Sequence, residues 1–224
     1  MQAGRPWNQE LMQPVAAIIL AAGRASRLGH VKAYLRLEGR TLIERVARAA
    51  RDGGATHVVT VVGGEATSDA PGAHLASAEV VRGLLGASAD VVIGRPELAP
   101  LDSLRAGLAR VPAGAAVLVW PVDHPFADAA LVAALARALG DDEEGVAVPT
   151  GARGPGHPVL FGRALVDALA HGALPGGARD LVTRPGARIY SVPSRDPRVA
   201  DDVDTLSDAA RLGVELPLLR GSKR

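Results

Sequence analysis

Short runs of apolar, β-branched residues alternate along this chain with amphipathic stretches of helical spacing, and that alternation narrows the fold more than any other feature. It is the pattern of βαβ units, in which helices cover a mostly parallel sheet. The predicted strands are Val15 to Leu20, His57 to Val62, Asp90 to Ile93, Ala116 to Trp120, Val146 to Pro149, Pro158 to Phe161 and Arg188 to Val192. Thr41-Leu42-Ile43-Glu44 fits a capping box, and Leu42, Ile43, Val46, Ala47 and Ala50 then share one helical face. Asp102 is a candidate cap for a helix carrying Leu104, Leu108 and Val111. Asp128 is one for a helix carrying Leu131, Leu135 and Leu139, closed by Gly140, and Thr205 with Asp208 opens another that leads to Gly213. There is no internal repeat, and Gly151 to Pro158 reads as a loop into a second subregion. The expected organisation is one α/β domain over residues 15–213, between a flexible N-terminal segment (1–14) and a C-terminal tail (214–224).

Composition removes several classes of function. With 224 residues, 48% of them hydrophobic, the chain can bury a sizeable core. Lys and Arg number 25 against 24 Asp and Glu, so there is no basic excess to hold a phosphate backbone. Aromatics are only 3%, which leaves little for base stacking. Nucleic acid is therefore not an expected partner. The absence of cysteine excludes thiolate zinc sites and a cysteine nucleophile. The run Val15 to Ala22 is too short to span a bilayer, and the cytoplasm is the expected location, with no membrane partner.

Leu20-Ala21-Ala22-Gly23-Arg24-Ala25-Ser26-Arg27-Leu28-Gly29-His30-Val31-Lys32 follows the first predicted strand, at the edge where open α/β sheets bind ligands. Gly23 and Gly29 allow backbone N–H groups to approach phosphate oxygens closely, and Arg27 and Lys32 add positive charge. The spacing is neither Walker A nor GxGxxG. A glycine-containing turn with solvated Arg and Lys has the same composition.

Asp123 directly follows the apolar run Ala116 to Trp120, with Pro121 and Pro125 fixing the backbone around it. A carboxylate there faces the same sheet edge as the first loop. Magnesium takes hard oxygen ligands, and Asp123 with Asp202 or Asp204 is a sufficient protein set. The same aspartates also fit a turn cap and a solvated loop before a helix. His30, His124 and His157 show no metal-ligand spacing, and no GxSxG elbow occurs.

The loop resembles the LAAGxSxRxGxxK signature of the MobA-like nucleotidyltransferases, closest to the molybdenum cofactor cytidylyltransferases, with Ala25 standing where that family has serine. Val61-Val62-Gly63-Gly64, Ser103-Leu104-Arg105-Ala106-Gly107-Leu108, Pro121-Val122-Asp123-His124-Pro125, Gly156-His157-Pro158-Val159-Leu160-Phe161, Gly177-Ala178-Arg179 and Asp202-Val203-Asp204-Thr205 follow in the family's order. Pro175 and Leu206 depart from it. The resemblance implies a Rossmann-like, GT-A-like nucleotidyltransferase architecture and a magnesium-dependent transfer of a nucleoside monophosphate, CMP from CTP, to a phosphorylated acceptor of the molybdopterin type. Arg27, Lys32 and Asp123 would be catalytic. Leu20, Ala21, Ala22, Gly23, Arg24, Ser26, Gly29, Gly63 and Ser103 would bind the nucleotide, and His157 and Arg179 the acceptor. Magnesium would sit on Asp123, Asp202 and Asp204. A molybdoenzyme or its chaperone is the implied protein partner. CTP rests on the LAAG start and on a methyl at Ala22 narrowing the base pocket. Guanylyl transfer, sugar-phosphate nucleotidyl transfer and a regulatory nucleotide-binding module without turnover remain open. A glycosyltransferase would need a DxD-like motif, which Asp123-His124-Pro125 does not supply.

Overall fold

A computed structural model describes residues 13–65, 75–86 and 90–217, so the expected loose ends at 1–12 and 218–224 lie outside the described residues. The elements are β1 (Val15–Ala21), a small antiparallel pair β2 (Arg36–Leu37) and β3 (Arg40–Thr41), α1 (Leu42–Asp52), β4 (His57–Val62), α2 (Ala78–Leu85) and β5 (Asp90–Ile93). There follow α3 (Pro100–Leu108), β6 (Ala116–Pro121), α4 (Ala129–Leu139), β7 (Gly145–Gly151), β8 (Gly154–Pro155) and β9 (Val159–Phe161). The chain closes with α5 (Val166–His171), α6 (Arg179–Thr183), β10 (Arg188–Pro193) and α7 (Leu206–Leu212).

The main sheet runs β10-β7-β9-β6-β1-β4-β5, with β8 paired to the end of β7. β1 lies inside it, parallel to β4 (Ile19 opposite Thr60) and to β6 (Ile19 opposite Trp120). Only β9 and β8 run antiparallel in it. Side chains alternate between the faces of a strand, so β1 sends Ala17 and Ile19 to one core and Ile18 to the other. The first core takes the buried faces of α1, α2, α4 and α7; the second takes α3, α5 and α6. Truncating a fully buried leucine such as Leu135 to alanine costs about 2–5 kcal/mol in cores of this kind.

The seven expected strands match β1, β4, β5, β6, β7, β9 and β10 to within two residues at each end, while β2, β3 and β8 were not expected. The buried parallel strands among them are largely continuous apolar runs. The capping boxes at Thr41/Glu44 and Thr205/Asp208 form, and Asp128 accepts from the Leu131 N–H at 2.8 Å. The start of α3 is a correction: Ala99, not Asp102, is its N-cap. Pro100 is set for the first helical position, so Asp102 falls in the first turn, and Val111 lies beyond the helix. Helices α2, α5 and α6 were not among the expected helices; they have only 8, 6 and 5 residues, too few for a clear apolar period. Gly151 to Pro158 is not an open loop, since β7 continues to Gly151 and turns back as β8.

Parts of both expected terminal segments are fastened to the domain. Val214 is buried, and Glu215 exchanges backbone hydrogen bonds with Arg36 at 2.8 and 2.7 Å. The Gln13 side chain is buried and accepts from the Arg163 N–H at 2.8 Å. Among the described residues, no helix is long and apolar enough to cross a membrane.

Candidate active site

Parallel pairing brings the carboxyl ends of β6, β1, β4 and β5 to one edge of the sheet, where a cleft of about 460 Å³ opens. That volume suits a small-molecule ligand. The chain after β1 forms one wall, with Leu20, Ala21, Ala22, Gly23, Arg24, Ser26, Arg27 and Lys32 all lining the cleft. A Cβ added to Gly23 would meet no atom within 4 Å, so its missing side chain leaves the backbone open to approach. Ala25 turns the loop with φ 39°, and its carbonyl accepts the N–H groups of Leu28 and Gly29 at 3.2 and 3.1 Å. Leu28, only 2% exposed, pins the loop to the core.

Lys32 begins a short 3₁₀ turn (Lys32–Tyr34) and places its ammonium between two carboxylates from distant parts of the chain. Its Nζ donates to Asp123 Oδ2 at 2.7 Å and also to Asp204 Oδ1. Arg27 donates to the other oxygen of Asp204 at 2.5 Å. The backbones join as well, because Val203 N–H donates to the Asp123 carbonyl at 3.0 Å. Burial of Lys32 works to lower its pKa, yet the charges and hydrogen bonds of Asp123 and Asp204 outweigh it and hold the group above the ordinary lysine value. For Asp204 the hydrogen bond from Lys32 is the main influence, aided by the charges of Lys32 and Arg27 and opposed by burial, and the carboxyl is held below its ordinary value. Both groups are therefore charged at neutral pH, in a setting where a charged ligand can exchange for one of the partners.

Across the cleft, Arg95, Pro96, Leu98 and Pro100 form the other wall after β5, and Ser103 stands at its base. Ser103 is 5% exposed, and its Oγ accepts the Arg95 N–H at 3.3 Å. A Cβ at Gly94 would lie 2.8 Å from Ser103 Oγ, 2.8 Å from Val61 Cγ1 and 3.0 Å from Ala22 Cβ, so this position has room only for glycine.

Of the expected site residues, Leu20 to Arg24, Ser26, Arg27, Lys32, Ser103, Asp123 and Asp204 meet in this cleft. Five others do not line it. Gly29 serves the turn with φ 72°. Gly63 faces the Leu75 side chain, which a Cβ would meet at 2.7 Å. Asp202 is exposed, while its neighbour Val203 is buried and Asp204 turns inward. Arg179 is exposed at the start of α6. His157 lies behind the cleft wall with its ring 4.5 Å from that of His124, which does line the cleft. Burial first, and then the charge of His124, push His157 down to about 4, so its imidazole is neutral at physiological pH.

The wall from Arg95 to Pro100 was missed by sequence reasoning. The available signal was its place directly after a predicted parallel strand, the same position that singled out the loop after β1. Asp201 was missed too: it is buried, with Arg153 and Arg211 against its carboxylate.

A mostly parallel sheet with a cation-bearing loop facing two carboxylates at the neighbouring strand end defines an α/β protein whose cleft suits a phosphorylated ligand. The chain belongs to the MobA-like NTP transferase domain family, which matches residues 17–189. It is 34% identical over 125 residues to a molybdenum cofactor guanylyltransferase of Xanthomonas euvesicatoria pv. vesicatoria (strain 85-10), a match that takes in 56% of this chain and 55% of that one. The chain thus spans about half the length of that curated relative. Its fold is similar to that of Rv0371c from Mycobacterium tuberculosis H37Rv, with a TM-score of 0.72 and 28% identity over 89% of this chain and 97% of that one. A manganese complex of Rv0371c superimposes with a TM-score of 0.66, at 27% identity, over 89% and 97% of the two chains. A nucleotidyl transferase from Methanothermobacter thermautotroptrophicus has a TM-score of 0.71 and 25% identity over 89% of this chain and 95% of its own.

Proposed function

We propose that the protein is a cytoplasmic nucleotidyltransferase that moves a nucleoside monophosphate from a nucleoside triphosphate to a phosphate on a molybdopterin-type acceptor. The observation that carries this reading is Lys32 held at once by Asp123 and Asp204 beside the open backbone of Gly23. A phosphate oxygen of the acceptor attacks the α phosphorus, the bond from that phosphorus to the bridging oxygen of pyrophosphate breaks, and pyrophosphate leaves with the electron pair. Such a reaction needs alignment and charge neutralisation rather than a covalent intermediate. Lys32, Arg27 and the loop N–H groups take the charge that develops on the leaving pyrophosphate. Gly23 lets the phosphates lie against the backbone, and the wall from Arg95 to Ser103 receives the nucleoside.

Asp123 and Asp204 are the residues that fit a magnesium ion, being two hard carboxylates at the same cleft end. Among the described residues no three His, Cys, Asp or Glu side chains gather as a metal-binding group, and an ion on Asp123 and Asp204 would draw its other ligands from triphosphate oxygens and water. When bound, magnesium supplies charge neutralisation at the α phosphate. The manganese complex of Rv0371c supports a divalent ion in this fold.

For the base, the guanylyltransferase name of the curated relative favours GTP. Ala22 lines the cleft but is only 4% exposed, which leaves its methyl little surface to offer a base and favours a weak size contact. CTP is the second reading, favoured by Leu20-Ala21-Ala22-Gly23 and by the stretch from Gly156 to Phe161. The modified cofactor would pass to a molybdoenzyme or its chaperone.

Titrating the purified protein with GTP and with CTP in magnesium, and following pyrophosphate release with a phosphorylated pterin acceptor, tests the proposal. GTP is expected to bind about 10-fold to 200-fold more tightly than CTP, the range one shape contact provides. The reverse order selects the CTP reading. Binding without pyrophosphate release identifies a regulatory module and overturns the transferase.

A further inference from the structure

Among the described residues Asp201 is the only buried charged residue, at 6% exposure, and it lies outside the cleft. Burying a carboxylate carries a desolvation cost that an apolar residue of the same size would avoid, so its retention points to a role in placement. Its Oδ1 receives Nη1 of Arg153 and lies 3.5 Å from Nη1 of Arg211. These two partners come from different elements. Arg153 sits at the tip of the β7–β8 hairpin, and Arg211 lies on α7, where its Nη2 also reaches Asp208 Oδ1 at 3.3 Å. Asp208 in turn closes the capping box on Thr205. The hairpin presses on the chain just before Asp201. A Cβ at Gly151 would lie 2.8 Å from the Pro197 carbonyl, and one at Gly156 would collide with the Val199 carbonyl.

Three residues after Asp201 the chain presents Asp204 to Lys32, and between them only Val203 makes a backbone bond to the site, through Asp123. Asp201 and Val203 are thus anchors upstream of Asp204, preceded by the Val199 carbonyl, which accepts the His157 N–H at 3.3 Å, with the α7 capping box downstream. We propose that Arg153, Asp201 and Arg211 form a clasp that positions the Asp204 carboxylate toward Lys32 and a divalent cation, making Asp201 a positioning residue for the cleft. The inference rests on Asp204 serving the proposed transfer reaction.

Asp201→Asn keeps the shape and one acceptor oxygen while removing the charge. Arg153→Ala removes an exposed partner, and Arg153→Lys keeps the charge. In metal-free protein, hydrogen exchange at the Val203 amide is expected to quicken in Asp201→Asn and Arg153→Ala, with the amides of β1 and β4 unchanged. With magnesium and triphosphate, both variants are expected to need more magnesium for half-maximal turnover and to lose about 10-fold to 100-fold in kcat, as outer partners of metal ligands do, and Arg153→Lys is expected to recover most of it. The nucleotide KM is expected to hold, because uniform ground-state binding is untouched. Parental exchange at Val203 together with parental magnesium dependence would overturn the clasp, as would faster exchange spread evenly over the whole sheet. Should Asp201→Asn fail to fold, Arg153→Ala decides on the same readouts. Should the parent turn over no triphosphate, the functional reading falls, while the metal-free exchange still decides whether the clasp holds the Asp204 segment.

Discussion

At the β6 end of the cleft, Lys32 joins Asp123 and Asp204 through ion pairs that cross 91 and 172 residues of sequence. Among the described residues the β5 end has no such pairing, and the wall is set by a glycine with no room for a methyl and by one hydroxyl accepting a backbone N–H. The first end fixes charge in space. The second fixes shape. For a reaction that needs both a held polyphosphate and an aligned nucleoside, the division implies that damage at one end should slow the chemical step and damage at the other should weaken nucleotide binding.

The strongest test of that division removes charge. Lys32→Ala and Asp123→Ala should each lower pyrophosphate release by about 10²-fold to 10³-fold with a folded far-UV circular dichroism spectrum, because positioned charge contributes a few kcal/mol at the transition state. Near-parental turnover in either variant would dissolve the distinction between the two ends. Gly94→Ala should act in the opposite manner. Its methyl meets Ser103, Val61 and Ala22, and relieving contacts this close costs about 1–3 kcal/mol. The nucleotide KM should rise while kcat stays close to parental; a fall confined to kcat would show that the β5 wall takes part in the chemistry.

A smaller effect concerns pH. Asp204 is held below its ordinary value of 3.8, so its contribution to stability is present above that pH and fades as the pH falls through the folded value. Lys32 is raised above 10.5, so its contribution is present below that pH and fades as the pH rises through the folded value. Urea unfolding of the parent and of Asp204→Asn should differ by a constant amount between about pH 5 and pH 9 and converge in stronger acid. A difference that ignores acid would place the Asp204 contribution outside its ion pairs. The β5 end, without such a pair, should show no matching dependence when Gly94→Ala is compared with the parent.

The same two ends explain what could be read in advance. Lys32, Arg27 and Asp123 were legible through the resemblance of the first loop and of Pro121-Val122-Asp123-His124-Pro125 to the family's motifs, since their places after strands alone fit solvated turns equally well. The strands were legible because β1, β4 and β6 are buried on both faces and so are largely apolar, with Thr60 of β4 a buried exception. Gly94 and the segment from Arg95 to Pro100 match none of those motifs, and their place after a predicted strand was the one signal they gave. Their place in the cleft follows from β5 pairing beside β4 and from the contact of Gly94 with Ser103, which are tertiary facts. Gly63 and Gly29 show the reverse error: a glycine beside a motif suggests ligand approach, but Leu75 occupies the space at Gly63, and Gly29 is needed for a turn. Asp202 and Asp204 could not be told apart by spacing. Lys32 and Arg27 hold Asp204 in the cleft, and Asp202 is left in solvent.

The most direct test of nucleotidyl transfer uses a triphosphate labelled at the α phosphorus, and separately one labelled at the γ phosphorus, with magnesium and a phosphorylated pterin acceptor. The account predicts that the α label appears in the acceptor and the γ label in pyrophosphate, and that both transfers are lost in Lys32→Ala. A γ label on the acceptor, or γ label released as inorganic phosphate with the α label left in a diphosphate, would contradict it.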